Sequence, residues 1–514
     1  MDVSPSHDPS SISAQADEVP VVFTHEQIRQ VIIGILLCLF LAAIDQTVVI
    51  PAVPAIASDL NGFDHLAWIV TAYLLTSTVA TPIYGKLSDI YGRRALLLPA
   101  IVIFVGASML CGFAQSLMQL ILARALQGLG GAGLMSMAQA AIADVVSPRE
   151  RGRYQGYMAG TWGVASVAGP IIGGWVTDDF SWRWIFWVNL PIGIAAFMLS
   201  SRALKMLKVT PRKSRIDYLG AALLAGCTTT SLLVLSWGGG DYAWLSPEIL
   251  GLGAASLVLL ALLVWQERRA AEPLMPPRLF ANTVFSRGVA LASLNAGAMF
   301  GATFLLPLYF QLTSGADASL SGTLIVPFLA ATCVGAFSGG QIARRIGRVK
   351  RLIQWGLIVG LAGFVALAFI GGATPLWLVA VLMFAVGLGI GLVMPCVLVN
   401  IQNAAERRDV GAATGAFLFL RSMGGALGST LAGVVLSGQF DGAVRRAVLP
   451  STLHLGALRG AEGAATALDP VLMVGAHDAL TFAFHAAFIA CAVLVALALA
   501  ATIGLPDVSL RTTN

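Results

Sequence analysis

The stretch YGKLSDIYGRR, residues 84–94, holds Lys86, Asp89, Arg93 and Arg94 beside Gly85 and Gly92. Apolar runs flank it: WIVTAYLLTSTVATPI (68–83) before and ALLLPAIVIFVGASMLCGF (95–113) after. A turn so short cannot reach far from the ends of the segments it joins, so its charges must lie against helix ends. A second copy follows in GGQIARRIGRVK (339–350). Gly85 and Gly92 are spaced as Gly340 and Gly347 are, each pair is followed by an arginine (Arg93, Arg348), and the offset is 255 residues. GPIIGG (169–174) and GGALGS (424–429) repeat at about the same offset. The chain therefore reads as a duplicated unit with the charged turn at one fixed place in each copy.

Composition sets the solvent. Of 514 residues, 57% are hydrophobic and 11% charged, with a mean hydropathy of +0.82. Water-soluble domains carry about 25% charged residues, so the bilayer is the expected environment. Spans of about 20 apolar residues are expected near 30–51, 66–84, 95–114, 117–143, 154–176, 184–204, 217–237, 247–266, 287–310, 320–343, 352–372, 376–400, 412–436 and 479–503. These runs lack the alternating polarity of a membrane barrel, which leaves helices. The expected fold is an all-α integral membrane protein with 14 transmembrane helices, arranged as two six-helix bundles and an inserted helical hairpin. Its expected parts are a disordered tail (1–27), an N-terminal bundle (28–206), the hairpin (207–270), a C-terminal bundle (271–505) and a second tail (506–514). Residues 437–478 read as a partly ordered outward loop or a helix lying on the membrane surface.

Orientation follows from the basic residues. With the N-terminus inside, 23 of the 31 Lys and Arg residues fall in inward turns and Arg29 and Arg511 on the tails. Arg183, Arg445, Arg446 and Arg459 fall outside, while Arg124 and Arg421 lie within spans. That asymmetry puts both termini in the cytoplasm of a cell-membrane protein. The tail 1–27 lacks a basic n-region and does not read as a cleaved signal. The six cysteines are isolated in apolar runs and suggest neither disulfides nor a metal site. No stretch suggests nucleic acid, no cofactor motif appears, and nucleotide-binding, zinc-protease and serine-hydrolase signatures are absent. The expected partners are lipid, protons and a small molecule, and the expected state is a monomer.

Several motifs, in order, resemble the major facilitator superfamily, and within it the fourteen-helix drug:proton antiporters (the DHA2 family). They are GKLSDIYGRR between spans 2 and 3, DQTVVIPAVP (45–54), WIVTAYLL (68–75), LARALQGLGGAG (122–133), GPIIGGW (169–175) and RSMGGALG (421–428). The resemblance covers about residues 28–505. It departs from the family at Ile50, where Asn is frequent, and at Arg344, where the second turn has lost its acid, so the two turns are not expected to be equivalent. It implies export driven by protons, with GPIIGGW marking exporters and the span-4 motif linked to proton coupling.

Asp45 is the first functional candidate. An ionised Asp near mid-bilayer costs about 2.5–3.5 kcal/mol on insertion scales, so it must face a cavity or a partner. It reads as a proton or cation carboxylate, or as a packing group satisfied by Gln46 or Thr47. Arg124, with Gln127 on the same face, reads as a proton-coupling cation or a structural hub. Gly85, Asp89, Gly92, Arg93 and Arg94, with Asp144, Gly340, Gly347 and Arg348, are expected to form gating contacts at the cytoplasmic rim. Asp89 suits an arginine or the positive end of a helix, and Asp144 is expected to join Arg149 or Arg153. Gly169 and Gly173 give a close-packing face, and with Pro170 and Gly174 make a contact that can rock. Cavity candidates are Asn295, Phe304, Trp162 and Arg421, with Met299, Phe300 and Tyr309 on the same helix as Asn295. Arg421 reads as an anion-binding group or as support for the inner end of its helix. The function expected is proton-coupled efflux of amphipathic organic compounds by alternating access; the alternative is a dedicated exporter of one endogenous metabolite, toxin or siderophore.

Overall fold

A computed structural model describes residues 25–60, 67–206, 216–239, 242–314, 316, 318–371, 374–446 and 470–510. Fourteen long helices organise it: α1 (His25–Leu60), α2 (Ala67–Tyr91), α3 (Arg93–Phe113), α4 (Leu117–Val145), α5 (Pro148–Asp179), α6 (Asn189–Ala203) and α7 (Tyr218–Trp237). They continue with α8 (Pro247–Arg269), α9 (Thr283–Ser314), α10 (Val326–Ile346), α11 (Lys350–Leu367), α12 (Leu376–Ala404), α13 (Val410–Arg446) and α14 (Pro470–Ala501). Short helical turns precede α6 at Trp184–Trp187 and α10 at Ala318–Leu324. Twelve of these segments are long and apolar enough to cross a membrane. The two others are α2 and α5, whose sequences hold more Thr, Ser, Gly and charged residues. Large apolar side chains stand exposed all around the bundle, among them Val102, Phe113, Trp175, Leu257 and Phe369. Such a surface needs hydrocarbon, not water, as its solvent. The chain is a multi-pass membrane protein.

Sequence duplication becomes a duplicated packing plan. In the first half α1 packs on α4, α5 and α6, α4 on α2 and α3, and α3 on α6. Adding eight to each helix number gives the second half's plan: α9 on α12, α13 and α14, α12 on α10 and α11, and α11 on α14. The halves join through two seams that the same operation exchanges, α5 with α10 and α2 with α13. Hairpin α7–α8 breaks the symmetry. It packs through α7 on both α2 and α13 and so covers one seam.

The ends of two helices differ from the expected spans. α13 runs on to Arg446 and α14 begins at Pro470, so much of the expected 437–478 loop is helix. Its middle, 447–469, lies outside the described residues, as do tail residues 1–24. α1 continues past Pro51 and Pro54 to Leu60. Pro51 lies beside Gly173 of α5, and tertiary packing of this kind carries the helix through the backbone bonds the prolines remove.

Both seams are tightest at the end of the bundle that holds the charged turns. A Cβ on Gly85 would meet the carbonyl oxygen of Gly411, and a Cβ on Gly340 would meet that of Gly152. Only glycine permits such approach between helix backbones. Further along, Gly156 faces Phe337 and Gly163 faces Cys333. Beyond them Pro170, on the same side of α5, is exposed. The bundle is closed at the charged end.

Candidate functional site

Asp45 sits in the middle of α1 and is fully buried. Its carboxylate accepts from Arg124 Nη1 at 2.7 Å, from Gln127 Nε2 at 2.7 Å and from Asn189 Nδ2 at 2.8 Å. The expected partners Gln46 and Thr47 turn elsewhere: Gln46 reaches the carbonyl of Ala42, and Thr47 those of Ala43, Ile44 and Ala165. Arg124 and Gln127 share one face of α4, and Gln127 Oε1 accepts a further bond from Arg124 at 2.8 Å. Arg124 also donates to the carbonyl of Ile69 on α2 and lies 4.5 Å from the ring centroid of Tyr73. Asn189 opens α6 and donates as well to Ser108 on α3, at 3.0 Å. The carboxylate thus ties α1 to α4 and α6, and its partners Arg124 and Asn189 extend the network to α2 and α3. Stripping water from two charges is costly, and close geometry with every lone pair engaged is what offsets it.

Asn189, Tyr73 and Ser108 were not among the sequence candidates. The signal available for Asn189 was a lone amide in the apolar run WIFWVNLPIG. Tyr73 and Ser108 carried none, because aromatic and small polar residues are common in membrane helices.

The rim forms a second cluster. Asp89, at the end of α2, accepts from the backbone N–H groups of Gly411 (2.9 Å) and Ala412 (2.7 Å). These are free donors at the start of α13, where the helix dipole is positive. Arg93 closes the cluster, bonding Asp89 at 2.7 Å and Asp144 at 2.8 Å and donating to the Ser88 hydroxyl. Asp144 therefore pairs with Arg93. Arg149 instead reaches the carbonyls of Arg344 and Arg345, and Arg153 reaches Tyr157. Gly92 holds φ at 87° and Gly347 at 70°, the left-handed geometry both turns require. Arg94 stands apart, with its Nε buried and no acceptor for it among the described residues.

The second turn is built differently. Arg344, in Asp89's place, crosses the α5–α10 seam to Glu150 at 2.7 Å. Arg348, in Arg93's place, pairs with Asp507 of the C-terminal segment at 3.6 Å. Leu510 N–H donates to the Gly347 carbonyl at 2.9 Å.

Gly169 packs on Thr47, and Gly173 on Val48 and Pro51, so this face joins α5 to α1; Gly174 faces open space and Pro170 is exposed. Asn295 does not line a cavity. It is fully buried and donates to the Ile390 carbonyl of α12 at 3.3 Å. Tyr309 packs edge-on against Phe484. Phe300 and Phe304 are about two-fifths exposed, at 41% and 39%, and lean over Gly425 and Gly433 of α13. Trp162 is half-buried on α5 and Arg421 half-buried on α13.

Two like bundles, with one sealed carboxylate and a glycine-tight charged rim between them, define a membrane transporter rather than an enzyme. The Major Facilitator Superfamily model matches residues 35–429, and the chain belongs to that family. The Bacillus subtilis "Multidrug transporter protein MdtP" is 38% identical over 406 residues, which cover 79% of this chain and 75% of that protein. "Multidrug resistance protein 3" of the same organism is 34% identical over 414 residues, 80% of each. A crystal structure of the human organic anion transporter MFSD10 (TETRAN) superposes with a TM-score of 0.58 at 15% identity, covering 91% of this chain and 99% of that one. That last likeness concerns the fold.

Proposed function

We infer that the protein exports amphipathic organic compounds in exchange for protons by alternating access. It works as a single chain in the cell membrane with both termini and the charged rim in the cytoplasm. The observation that carries this reading is the sealed Asp45–Arg124 pair inside a bundle closed at its charged end. The names of the two Bacillus relatives, a multidrug transporter and a multidrug resistance protein, support drug-like organic compounds as the cargo.

Asp45 takes up the proton and so loses its charge, which removes the main attraction for Arg124. Two residues along α1, Thr47 holds the Ala165 carbonyl of α5 at 2.9 Å. α5 in turn carries the Gly152 and Gly156 contacts with α10. Loosening α1 thereby reaches the seam that must open. At the rim, Asp89 holds the start of α13 in this closed arrangement and lets it go in the other.

Dye uptake into everted vesicles under an imposed proton gradient tests the reading. Wild type should accumulate dye only with the gradient present. Asp45→Asn, recovered folded by size-exclusion chromatography, should fall to the level of empty vesicles. Uptake that continues at the same rate with the gradient collapsed overturns it.

A further inference from the structure

We propose that Arg421 is the anion-recognition residue of the transport cavity, and that the cargo carries a negatively charged group on an apolar, aromatic body. The proposal rests on the exporter reading and names its substrate class.

The position of Arg421 follows from what surrounds α13. Gly411 and Gly415 meet α2, and Phe419 and Met423 join the apolar cluster with Leu224 of α7. Leu420, Gly424 and Gly428 meet α9. Thr414 and Arg421 share one sector of the helix two turns apart, and above them Gly425 and Gly428 close that sector against Phe300 and Gly297 of α9. At the rim end of that sector Thr414 accepts from Gln402 of α12, and Gln402 also reaches the Gln139 carbonyl of α4. Gln139 accepts from Gln155 of α5. These amides make a polar floor that spans both halves. Arg421 stands two turns above it, about 16 Å along α13 from Val410 at 1.5 Å per residue. That depth is far from lipid headgroups.

No acid or hydrogen-bond acceptor pairs with Arg421 among the described residues, and its side chain is only half-buried. By contrast Arg124, the other cation within a span, is 1% exposed and fully engaged. An accessible, unpaired cation at membrane depth is tolerated where it faces a water-filled path, and it marks what that path carries. Asp45, the acid at similar depth, is sealed from the cavity.

The repeat supplies the rest of the cargo's shape. Gly152 and Gly156 oppose α10 as Gly411 and Gly415 oppose α2. Ten residues beyond Gly152 stands Trp162, and ten beyond Gly411 stands Arg421. The two therefore hold equivalent places in the two halves, an indole in one and a guanidinium in the other, and Phe300 lies beside Gly425. This arrangement suits a flat apolar body with a carboxylate or sulfonate at one end.

Counterflow in proteoliposomes without a pH gradient reads recognition alone, so it remains informative if proton coupling fails. The probes are 5-carboxyfluorescein and ethidium. Wild type should exchange carboxyfluorescein faster than ethidium. Arg421→Gln should slow carboxyfluorescein roughly tenfold or more and leave ethidium unchanged or faster, while Arg421→Lys should keep much of the anion exchange. Wild-type preference for ethidium, equal loss of both probes in Arg421→Gln, or no loss of either, overturns the proposal. Should Arg421→Gln not fold, the wild-type preference and the Arg421→Lys rates decide.

Discussion

Where the first half buries Asp45 against Arg124, the second buries Asn295 against a backbone carbonyl. The correspondence is structural. Thr47 lies on Gly169 as Gly297 lies on Gly428, and two residues before them stand Asp45 and Asn295. Gly128 packs against Tyr73 as Gly387 packs against Phe328, and four residues earlier stand Arg124 and Met383. Val386 takes the place of Gln127. All three second-half residues are buried. One helix plan is thus built twice, once around charges and once without them. The same packing plan therefore forms without charges at these positions.

The sharpest way to break that argument is to copy the second half into the first. The triple variant Asp45→Asn, Arg124→Met, Gln127→Val should fold with a melting temperature at or above wild type, because apolar replacement of a buried ion pair is often neutral or stabilising by about 1–4 kcal/mol. Its gradient-driven transport should nonetheless drop to background. Asp45→Asn alone should melt lower, since an orphaned buried charge costs about 3–5 kcal/mol. A triple variant that still transports with the gradient would return Asp45 to a packing role.

Much of this comparison was legible in the sequence. The 255-residue offset gave the duplication, the apolar runs gave the helices, and Asp45, Arg124 and Gln127 were found because polar groups stand out at membrane depth. Their partners were not legible. Asn189 is 144 residues from Asp45 in the chain, and Gly411 is 322 from Asp89, so each pairing exists only once the helices are assembled. Asn295 misled for the same reason. A polar residue in a span suggests a cavity, but Asn295 found a carbonyl on a neighbouring helix.

The two rim turns differ as the cores do, with a smaller expected effect. Asp89 is nearly sealed, its side chain 5% exposed, and joins the halves through two backbone donors and Arg93. Hydrogen bonds involving a charged group contribute about 1.5–3 kcal/mol. Asp89→Asn should therefore shift the population away from the closed rim roughly tenfold or more, read as a longer, broader distance between spin labels across the α2–α13 seam. An unchanged distance distribution would make the turn a topology marker and nothing more.

Weaker effects belong to the second turn. Arg344 and Glu150 are 40% and 39% exposed, and exposed pairs contribute about 0.2–1 kcal/mol. Glu150→Gln should shift the same equilibrium, read across α5–α10, no more than severalfold. Arg348 and Asp507 are farther apart, at 3.6 Å, and Arg348 is 65% exposed, so Asp507→Asn should leave both rate and label distances unchanged. The backbone bond from Leu510 to Gly347 survives that substitution and keeps the C-terminal segment in place. This pair lies within the second half and spans neither seam. If Asp507→Asn opened the rim as far as Asp89→Asn, the C-terminal segment would be a gate in its own right, and the contrast between a latched first turn and a merely anchored second one would fail.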